Sequence, residues 1–326
     1  MREAEPHVLA IVGPTASGKS ELAVALARRL DGEVVSLDSR QVYRGMDIGT
    51  AKLSPAERCG IPHWGLDLLD PDRSYSAGRF ARDARGWIAA IHVRGRVPVL
   101  VGGTGFFLRA LTVPIFREPA LDTERRRALR KWLAAQPRSR LERWTRVLDP
   151  RRSELAAEGG PQRLSRTLEV ALLSGRSLSW WHEHVPAQDE ALHVVVVLVD
   201  LPRVELDRRI NARVADMLRE GLVEEVRALL AAGYRPDDPG MTGVGYREVV
   251  AELRGDLGSE EAAERIRRAT RAYARRQVTW FRNQLPPDVI LVDGSAPLES
   301  RLERVVRAWA RAVEEAGSRP RRGANV

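Results

Sequence analysis

The stretch that decides the fold is His7–Ser20, which reads HVLAIVG-PTASGKS. Its first part, His7–Gly13, is a short apolar run rich in β-branched side chains, typical of a buried parallel strand. Gly13–Ser20 fits the phosphate-loop pattern G-x-x-x-x-G-K-[ST], and leucines spaced by four over Ser17–Leu30 predict a helix immediately afterwards. A strand, a glycine-containing loop and a helix in this order predict a phosphate-binding loop in a parallel α/β sheet.

The loop combines residue types that bind a di- or triphosphate. Its glycines let successive backbone N–H groups point at phosphate oxygens, and the following helix contributes the positive end of its dipole. Lys19 would neutralise the terminal phosphates, and Ser20 would offer a hydroxyl to Mg²⁺. The expected phosphate-binding residues are Gly13, Pro14, Thr15, Ala16, Ser17, Gly18, Lys19 and Ser20. The loop alone does not indicate which phosphate compound binds or which bond breaks.

Strands and helices alternate along much of the remaining chain. Further strands are predicted at Glu33–Asp38, Val97–Gly103, Leu192–Asp200 and in DVILVD, residues 288–293. Helices between strands predict a parallel sheet. The stretch 118–190 has no good strand and is rich in arginine and glutamate, which predicts helices inserted into the sheet domain.

The predicted fold class is therefore α/β, with a P-loop NTPase-like parallel sheet core, a helical insertion domain and a helical C-terminal region. We expect the core to comprise residues 1–117 and 191–316, with the insertion at 118–190. The tail at 317–326, GSRPRRGANV from Gly317 onward, is polar and basic and is expected to be disordered.

Polar residues at two predicted strand ends are candidates for the site. Asp38 ends the second strand, and Thr104 follows the third in the sequence Gly-Gly-Thr-Gly. Because ligands bind outside the carboxyl ends of strands in open α/β sheets, both residues should lie near the phosphate loop. Asp38 is a candidate general base or metal-associated carboxylate. A turn or helix-cap role is the alternative for Asp38, and turn chemistry is the alternative for Thr104.

The chain is strongly basic, and nearly all of its positive charge is arginine. Its 326 residues carry a net charge of +9, and only three of the 53 basic residues are lysines. One cysteine, Cys59, excludes an intrachain disulfide scaffold, and no apolar run approaches the ~20 residues of a membrane helix. We expect a soluble, cytoplasmic, monomeric protein without membrane association. Its anionic partner could, from charge alone, be nucleic acid, phosphate or a membrane surface.

Much of this charge lies in one predicted helix. Ala262–Leu285 contains seven arginines and one glutamate, so it carries +6. Arginines recur there at helical spacing, and aromatic residues are interleaved with them, at Arg268, Arg271, Tyr273, Arg275, Trp280, Phe281 and Arg282. This pattern is typical of an element that follows a phosphate backbone. A solvated arginine face over an aromatic core is the alternative, and a core position is favoured for Trp280.

Segments spread along the chain carry a family resemblance. They are Gly13–Ser20, Asp38–Lys52, YSAGRFARDA at Tyr75–Ala84, GGTGFFLRAL at Gly102–Leu111, QRLSRTLEV at Gln162–Val170, RVADMLREGLVEEV at Arg213–Val226, GVGYREV at Gly243–Val249 and TRAYARRQVTWFR at Thr270–Arg282. In this order they resemble the bacterial tRNA dimethylallyltransferase (tRNA isopentenyltransferase) family over roughly residues 7–295. That family transfers the dimethylallyl group of dimethylallyl diphosphate to N6 of the adenosine 3′ of the anticodon, at tRNA position 37. The products are N6-isopentenyladenosine and diphosphate.

The resemblance implies a role for each matching residue. The phosphate loop, including Lys19, would hold the donor diphosphate with Mg²⁺, and Arg213 would help to neutralise it. Asp38 would accept the proton of the N6 amine, and Thr104 would lie near the donor and the tRNA. The insertion at 118–190 would contact the anticodon stem-loop. The positions matching tRNA-contacting segments are Asp38, Ser39, Arg40, Gln41, Thr104, Gln162, Arg163, Leu164, Ser165, Arg166, Gly243, Val244, Gly245, Tyr246, Arg275, Arg276, Gln277, Trp280 and Arg282.

The sequence departs from the family pattern in two places. Pro62-His63-Trp64 stands where Pro-His-His is usual, and Ala157–Pro161 lacks the expected Pro-Asn-Asp. Both changes concern local loop contacts rather than the inferred chemistry. Other functions remain open: a kinase of a small metabolite, for which Asp200 would supply a carboxylate, an adenylate isopentenyltransferase, and a nucleic-acid-binding module without catalysis.

Overall fold

The computed structural model describes residues 8–113, 119, 121–185 and 190–318. The chain forms two compact units, one made of residues 1–112 with 192–326 and the other of residues 113–191. Among the described helices, none is both long enough and apolar enough to cross a membrane.

The larger unit is built on a parallel sheet of six strands. The strands are β1 (Val8–Val12), β2 (Gly32–Ser36), β3 (His63–Trp64), β4 (Val97–Gly102), β5 (Val194–Asp200) and β6 (Ile290–Asp293). Their order across the sheet is β3-β2-β4-β1-β5-β6, so the strand that leads into the phosphate loop lies between β4 and β5. The parallel α/β core predicted from the sequence is confirmed. The edge strand β3 was not predicted, because two residues are too few to form an apolar run.

Helices alternate with these strands and continue after them. The helices of the larger unit are α1 (Lys19–Arg29), α2 (Ala77–Val93), α3 (Gly105–Thr112), α9 (Arg203–Arg219), α10 (Leu222–Ala231), α11 (Tyr246–Leu253), α12 (Ser259–Gln284) and α13 (Leu298–Ser318). The helices of the smaller unit are α4 (Thr123–Ala134), α5 (Arg138–Leu148), α6 (Ser153–Glu158), α7 (Gly160–Ser174) and α8 (Leu178–His184).

The centre of the sheet is buried on both faces, which explains why β1 is apolar throughout. Along β1, Val8, Ala10 and Val12 belong to one core, while Leu9 and Ile11 belong to the core on the opposite face. Successive side chains of a strand point to opposite faces, so a strand covered on both sides shows no alternation of polar and apolar residues. Helices α2 and α3 cover the first face, and α1 and α13 cover the second.

Helix α12 runs from the carboxyl edge of the sheet into its first apolar face. Gln277 contacts the loops that follow β1 and β4, and Phe281, one turn later, is buried among side chains of β1 and β5. The helix begins at Ser259 and therefore includes Glu260 and Glu261. It carries seven arginines and three glutamates within its bounds, a net charge of +4 instead of the +6 counted over Ala262–Leu285.

The smaller unit is helical in its described residues, with an apolar core of its own. Leu133, Leu141, Leu164 and Leu168 are buried together. Glu169 is 1% exposed and accepts hydrogen bonds from three arginines, Arg126, Arg130 and Arg166. Burial raises the pKa of Glu169, but the hydrogen bond and charge of Arg130, with the charges of Arg126 and Arg166, outweigh it and leave the pKa below its ordinary value.

The C-terminal end of the chain differs from expectation where it is described. Helix α13 continues to Ser318, so Gly317 and Ser318 are helical rather than part of a disordered tail. The remainder of the expected tail, 319–326, lies outside the described residues.

Candidate active site

The first residue of the phosphate loop packs closely against β5 and against the loop itself. A Cβ atom at Gly13 would lie 2.6 Å from the carbonyl oxygen of Val199 and 2.9 Å from Ser17 Oγ, so only glycine lets the loop start this close to β5. Gly18 adopts a left-handed conformation, with φ +83°, directly before α1. These two glycines give the turn that leads into the amino end of α1 at Lys19 and Ser20, and a helix amino end of this kind favours an anion.

Two cations lie on this loop from different elements. Lys19 donates to the carbonyl oxygen of Pro14 at 3.1 Å, and Arg213 of α9 donates to Thr15 Oγ1 at 3.3 Å. Burial and the charge of Arg213 lower the pKa of Lys19 to about 8, although Asp38 opposes the shift. Burial also lowers the pKa of Arg213, and Asp38 again opposes it. The loop is therefore a concentrated positive site, in which the charge of Arg213 disfavours the protonated form of Lys19.

Asp38 and Thr104 lie in neighbouring loops, just beyond the ends of the adjacent strands β2 and β4. The Thr104 N–H donates to the carbonyl oxygen of Leu37 at 3.0 Å, and the Ser39 N–H donates to Thr104 Oγ1 at 3.1 Å. Asp38 lies two residues beyond the end of β2 and accepts a hydrogen bond from the Arg40 N–H at 2.8 Å. Its carboxylate acts on the pKa of both Lys19 and Arg213, so it lies close to the phosphate loop.

Tyr273 of α12 completes the group around Asp38, and it was absent from the expected site residues. Burial, followed by the charge of Asp38, raises the pKa of its phenol to about 12, while Arg40, Thr104 and Arg276 oppose the shift. The phenol thus remains a neutral hydrogen-bonding group at ordinary pH. The aromatic residues interleaved with arginine in this helix were the sequence signal that could have identified it.

Gln277 joins the two halves of the site. Its side-chain oxygen accepts from the Thr15 N–H at 2.9 Å, and its side-chain nitrogen donates to the Gly103 carbonyl oxygen at 2.9 Å. Gln277 is 7% exposed, and a Cβ atom at Gly103 would overlap its amide. This environment favours a positioning role over the direct tRNA contact expected from the sequence.

The segment Gly243–Tyr246 contributes contacts within the fold, as Gln277 does. Tyr246 is 1% exposed, and its hydroxyl donates to Glu225 at 2.6 Å. The same carboxylate accepts three backbone N–H groups of the loop after β2, at Asp47, Ile48 and Gly49. The expectation that the Tyr246 side chain contacts tRNA is therefore corrected, because its hydroxyl and ring are used within the fold. Glu225 was not recognised from the sequence.

Neighbouring residues of this loop are held in place by similar contacts. The Arg40 guanidinium donates to the carbonyl oxygen of Pro239 at 2.7 Å, and Gln41 accepts a hydrogen bond from the Ser36 hydroxyl at 3.0 Å. Ser39, Arg40 and Gln41 are each half-buried and so keep part of their surface available to a ligand.

The tRNA-contact candidates of the smaller unit differ in exposure. Gln162 and Arg163 are exposed, and Ser165 and Arg166 are half-buried. Leu164 is fully buried in the core of that unit, so the expectation that its side chain contacts tRNA is wrong.

The arginines of α12 divide into two groups. The first group pairs with glutamates of the same helix, and its members are Arg265, Arg267, Arg268 and Arg271. The second group, Arg275, Arg276 and Arg282, is exposed and forms no ion pair with the described residues. Arg276 lies over the ring of Tyr273, at 5.8 Å. The second group is the part of the helix whose charge is available to an anionic partner.

A separate cavity of about 670 Å³ opens at the carboxyl ends of β5 and β6. Asp200, Arg203, Arg282 and Arg301 are among the residues that line it. Because β5 and β6 lie on one side of β1 and the strands β2 and β4 on the other, this cavity is distinct from the group around Asp38 and Thr104.

Comparison with known proteins identifies the family of the chain. Residues 41–284 match the family described as IPP transferase. The chain belongs to that family. It is 42% identical to a tRNA dimethylallyltransferase of Geobacter metallireducens over 307 residues, which cover 94% of this chain and 99% of the relative.

Two solved structures of the family share the fold. A full-length tRNA isopentenylpyrophosphate transferase of Bacillus halodurans superimposes with a TM-score of 0.70 and 36% identity, covering 96% of this chain and 98% of the other. A eukaryotic dimethylallyltransferase acting on tRNA gives a TM-score of 0.80 and 26% identity, covering 98% of this chain and 82% of the other. Family membership therefore extends over nearly the whole chain.

Proposed function

We propose that this protein is a tRNA dimethylallyltransferase that transfers the dimethylallyl group of dimethylallyl diphosphate to N6 of the adenosine 3′ of the anticodon. A bond forms between the allylic carbon and N6, the bond between that carbon and the diphosphate oxygen breaks, and the N6 proton is lost. The observation that carries the proposal is the convergence of Asp38 on the phosphate loop beside Lys19 and Arg213. The relatives compared above are named as tRNA dimethylallyltransferases or tRNA isopentenylpyrophosphate transferases, which supports the proposal.

The phosphate loop would bind the diphosphate and stabilise it as it leaves. Negative charge develops on the leaving oxygen, and fixed cations at that position lower the barrier. Lys19 and Arg213, which carry like charges on the same loop, would both gain from the anion. Gln277 fixes the Thr15 amide and the turn before Thr104, so that the two sides of the site keep their spacing.

Asp38 would act as the general base for the adenine amine. The lone pair of an exocyclic amine is delocalised into the ring, so the amine attacks well only if its proton is removed as the bond forms. The Asp38 carboxylate is held by the Arg40 N–H on one oxygen. The neighbouring Thr104 hydroxyl is held by the Ser39 N–H and by a hydrogen bond with the Tyr273 phenol, so these polar groups would lie beside the base as the amine approaches.

We infer Mg²⁺ as the metal of this site. The Ser20 hydroxyl, in the first turn of α1, makes no hydrogen bond within the described part of the chain. A hydroxyl oxygen is a ligand that Mg²⁺ prefers, so Ser20 fits this ion. When bound, Mg²⁺ would neutralise charge on the diphosphate.

The tRNA would contact exposed basic and polar side chains, each unit being considered by itself. Arg275, Arg276 and Arg282 are the candidates in the larger unit, and Gln162 and Arg163 are those in the smaller unit. The target base must leave the stack of the anticodon loop to reach Asp38.

We place the reaction in the cytoplasm, because the proposed substrate is tRNA. The monomeric state stays a prediction that sedimentation of the purified chain would check.

The test is incubation with Mg²⁺, labelled dimethylallyl diphosphate, AMP and an anticodon stem-loop that contains the target adenosine, with a parallel incubation that contains ATP and small metabolites. We expect label on N6 of that adenosine and none on AMP. A stem-loop with guanosine at the target position is the matched control. Label on AMP with the RNA unmodified would favour an adenylate isopentenyltransferase, and transfer of phosphate from ATP to a metabolite would favour a kinase.

A further inference from the structure

The first turn of α3 exposes a large aromatic side chain beside the site. Phe106 follows Thr104 by two residues, and its side chain is 60% exposed. The adjacent Phe107 points the other way and stacks on Phe80 in the core, with ring centroids 4.1 Å apart. Burial of an apolar ring is strongly favourable, so an exposed phenyl next to a functional site indicates a contact that is made with a ligand.

The exposed ring is held in place by a second aromatic residue. The rings of Phe106 and Trp280 are 6.0 Å apart and tilted by 56°. Trp280 is half-buried and packs edge-on against the buried Phe281. A Cβ atom at Gly105 would overlap the Trp280 indole, so Gly105 is required for this packing. The Phe106 ring is therefore attached to the core through Trp280.

Arginines accompany these rings along one side of α12. Tyr273, Arg276 and Trp280 lie at spacings of three and four on the helix, and so share a face. Arg109, one turn after Phe106 on α3, hydrogen-bonds to Gln284, one turn after Trp280 on α12. Aromatic rings alternating with arginines suit a single-stranded nucleic acid, whose bases stack and whose phosphates pair with guanidinium groups.

We propose that Phe106, supported by Trp280, is a stacking platform for an unpaired RNA base next to the modified adenosine. The proposal rests on the proposed function: removing one base from the loop leaves its neighbour without a stacking partner. The phenyl ring takes that place, two residues from Thr104, while Arg109 and Arg276 face the adjoining phosphates. An open, exposed ring suits a base, whereas the small dimethylallyl group of the donor would need an enclosed pocket.

The experiment uses anticodon stem-loops with 2-aminopurine on either side of the target adenosine, because its fluorescence is quenched by stacking. We expect binding to the wild-type protein to leave one of the two positions quenched. In Phe106→Leu the 2-aminopurine fluorescence at that position should increase. RNA affinity should fall about tenfold, which is within the range for loss of one base–aromatic stack. Phe106→Trp should keep both properties. Val93→Ala, an exposed apolar residue on α2, is the control and should change neither.

The possible outcomes separate this proposal from the proposed function. The KM for dimethylallyl diphosphate should be the same in the wild type and Phe106→Leu. If Phe106→Leu prenylates RNA with unchanged affinity and unchanged fluorescence, the stacking proposal is overturned while the function stands. A raised donor KM with unchanged RNA affinity would also overturn it and would place the ring at the donor. If the wild type binds the RNA with Phe106-dependent quenching but never prenylates it, the function alone fails.

Discussion

The site depends on like charges that are held together by the fold. Lys19 and Arg213 reach the same loop from α1 and α9, and the charge of Arg213 lowers the pKa of Lys19, whereas burial lowers the pKa of Arg213. Among the groups that act on the pKa of Lys19, only the Asp38 carboxylate raises it. An anion at the loop would relieve the repulsion, so the residues favour diphosphate binding before any metal is considered.

The lowered pKa of Lys19 predicts how donor capture depends on pH. Lys19 binds the diphosphate well only when protonated, so kcat/KM for the donor should fall as the pH rises through about 8. Arg213→Gln removes a positive neighbour and should shift this alkaline limb to higher pH, although its kcat/KM is lower throughout. The measurement is a pH profile at saturating RNA. An identical midpoint in both proteins would contradict the assignment of the limb to Lys19.

Gln277 predicts a second effect at the scale of single residues. Gln277→Met keeps the side-chain volume but removes both hydrogen bonds, to the Thr15 N–H and the Gly103 carbonyl. We expect kcat to fall about tenfold or more, because a small misplacement of reacting groups is costly, while RNA affinity changes little. Thr279→Val, at an exposed position of the same helix, is the control. A selective loss of RNA affinity would instead make Gln277 a tRNA contact.

At the scale of elements, α12 has two sides with different roles. Ala274, Gln277 and Phe281 face inward, while Arg275 and Arg282 face solvent. The sequence predicted the helix and its charge from periodicity, but the resemblance identified whole segments and not the faces within them. For this reason Gln277, Leu164 and Tyr246 were expected at a tRNA surface, although their side chains are buried.

The division of the arginines makes a prediction about salt dependence. Arg282 has no ion pair within the described residues, whereas Arg265 pairs with Glu261. Arg282→Ala should weaken stem-loop binding and reduce the slope of log affinity against log salt by about 1, the value expected for one lost phosphate contact. Arg265→Ala is the matched control and should leave the slope unchanged. Binding titrations at several salt concentrations measure both slopes. A slope for Arg282→Ala equal to that of the wild type would show that Arg282 does not contact the RNA.

The apolar runs were sufficient to predict most of the sheet, while shorter elements were not visible. Runs such as Val194–Asp200 are buried on both faces and therefore read clearly as parallel strands. The edge strand His63–Trp64 has only two residues and no such run. Contacts between residues distant in sequence, such as those of Glu225 with the loop after β2, leave no local pattern either.

At the scale of the whole molecule, Glu225 links the loop that follows β2 to the helices at the carboxyl edge. It accepts three backbone N–H groups and the Tyr246 hydroxyl. Glu225→Ala leaves these donors unpaired and should lower the free energy of unfolding by about 2 kcal/mol or more. Glu224→Ala, which removes only an exposed pair with Arg227, should stay within about 0.5 kcal/mol. Chemical denaturation measures the free energy of unfolding of both variants. Equal losses in Glu225→Ala and Glu224→Ala would contradict the linking role of Glu225.

The central claim is that Asp38 removes the amine proton while the phosphate loop holds the leaving group. It is tested most directly by the single-turnover rate of RNA prenylation in Asp38→Asn, with donor affinity measured on the same protein. Asp72→Asn, at a surface aspartate after β3, is the control. We predict that Asp38→Asn lowers the rate at least 10²-fold, the lower range for a general base, while donor affinity stays within a few-fold of the wild type. A wild-type rate at saturating donor, with only donor affinity lost, would contradict this account and make Asp38 a binding residue.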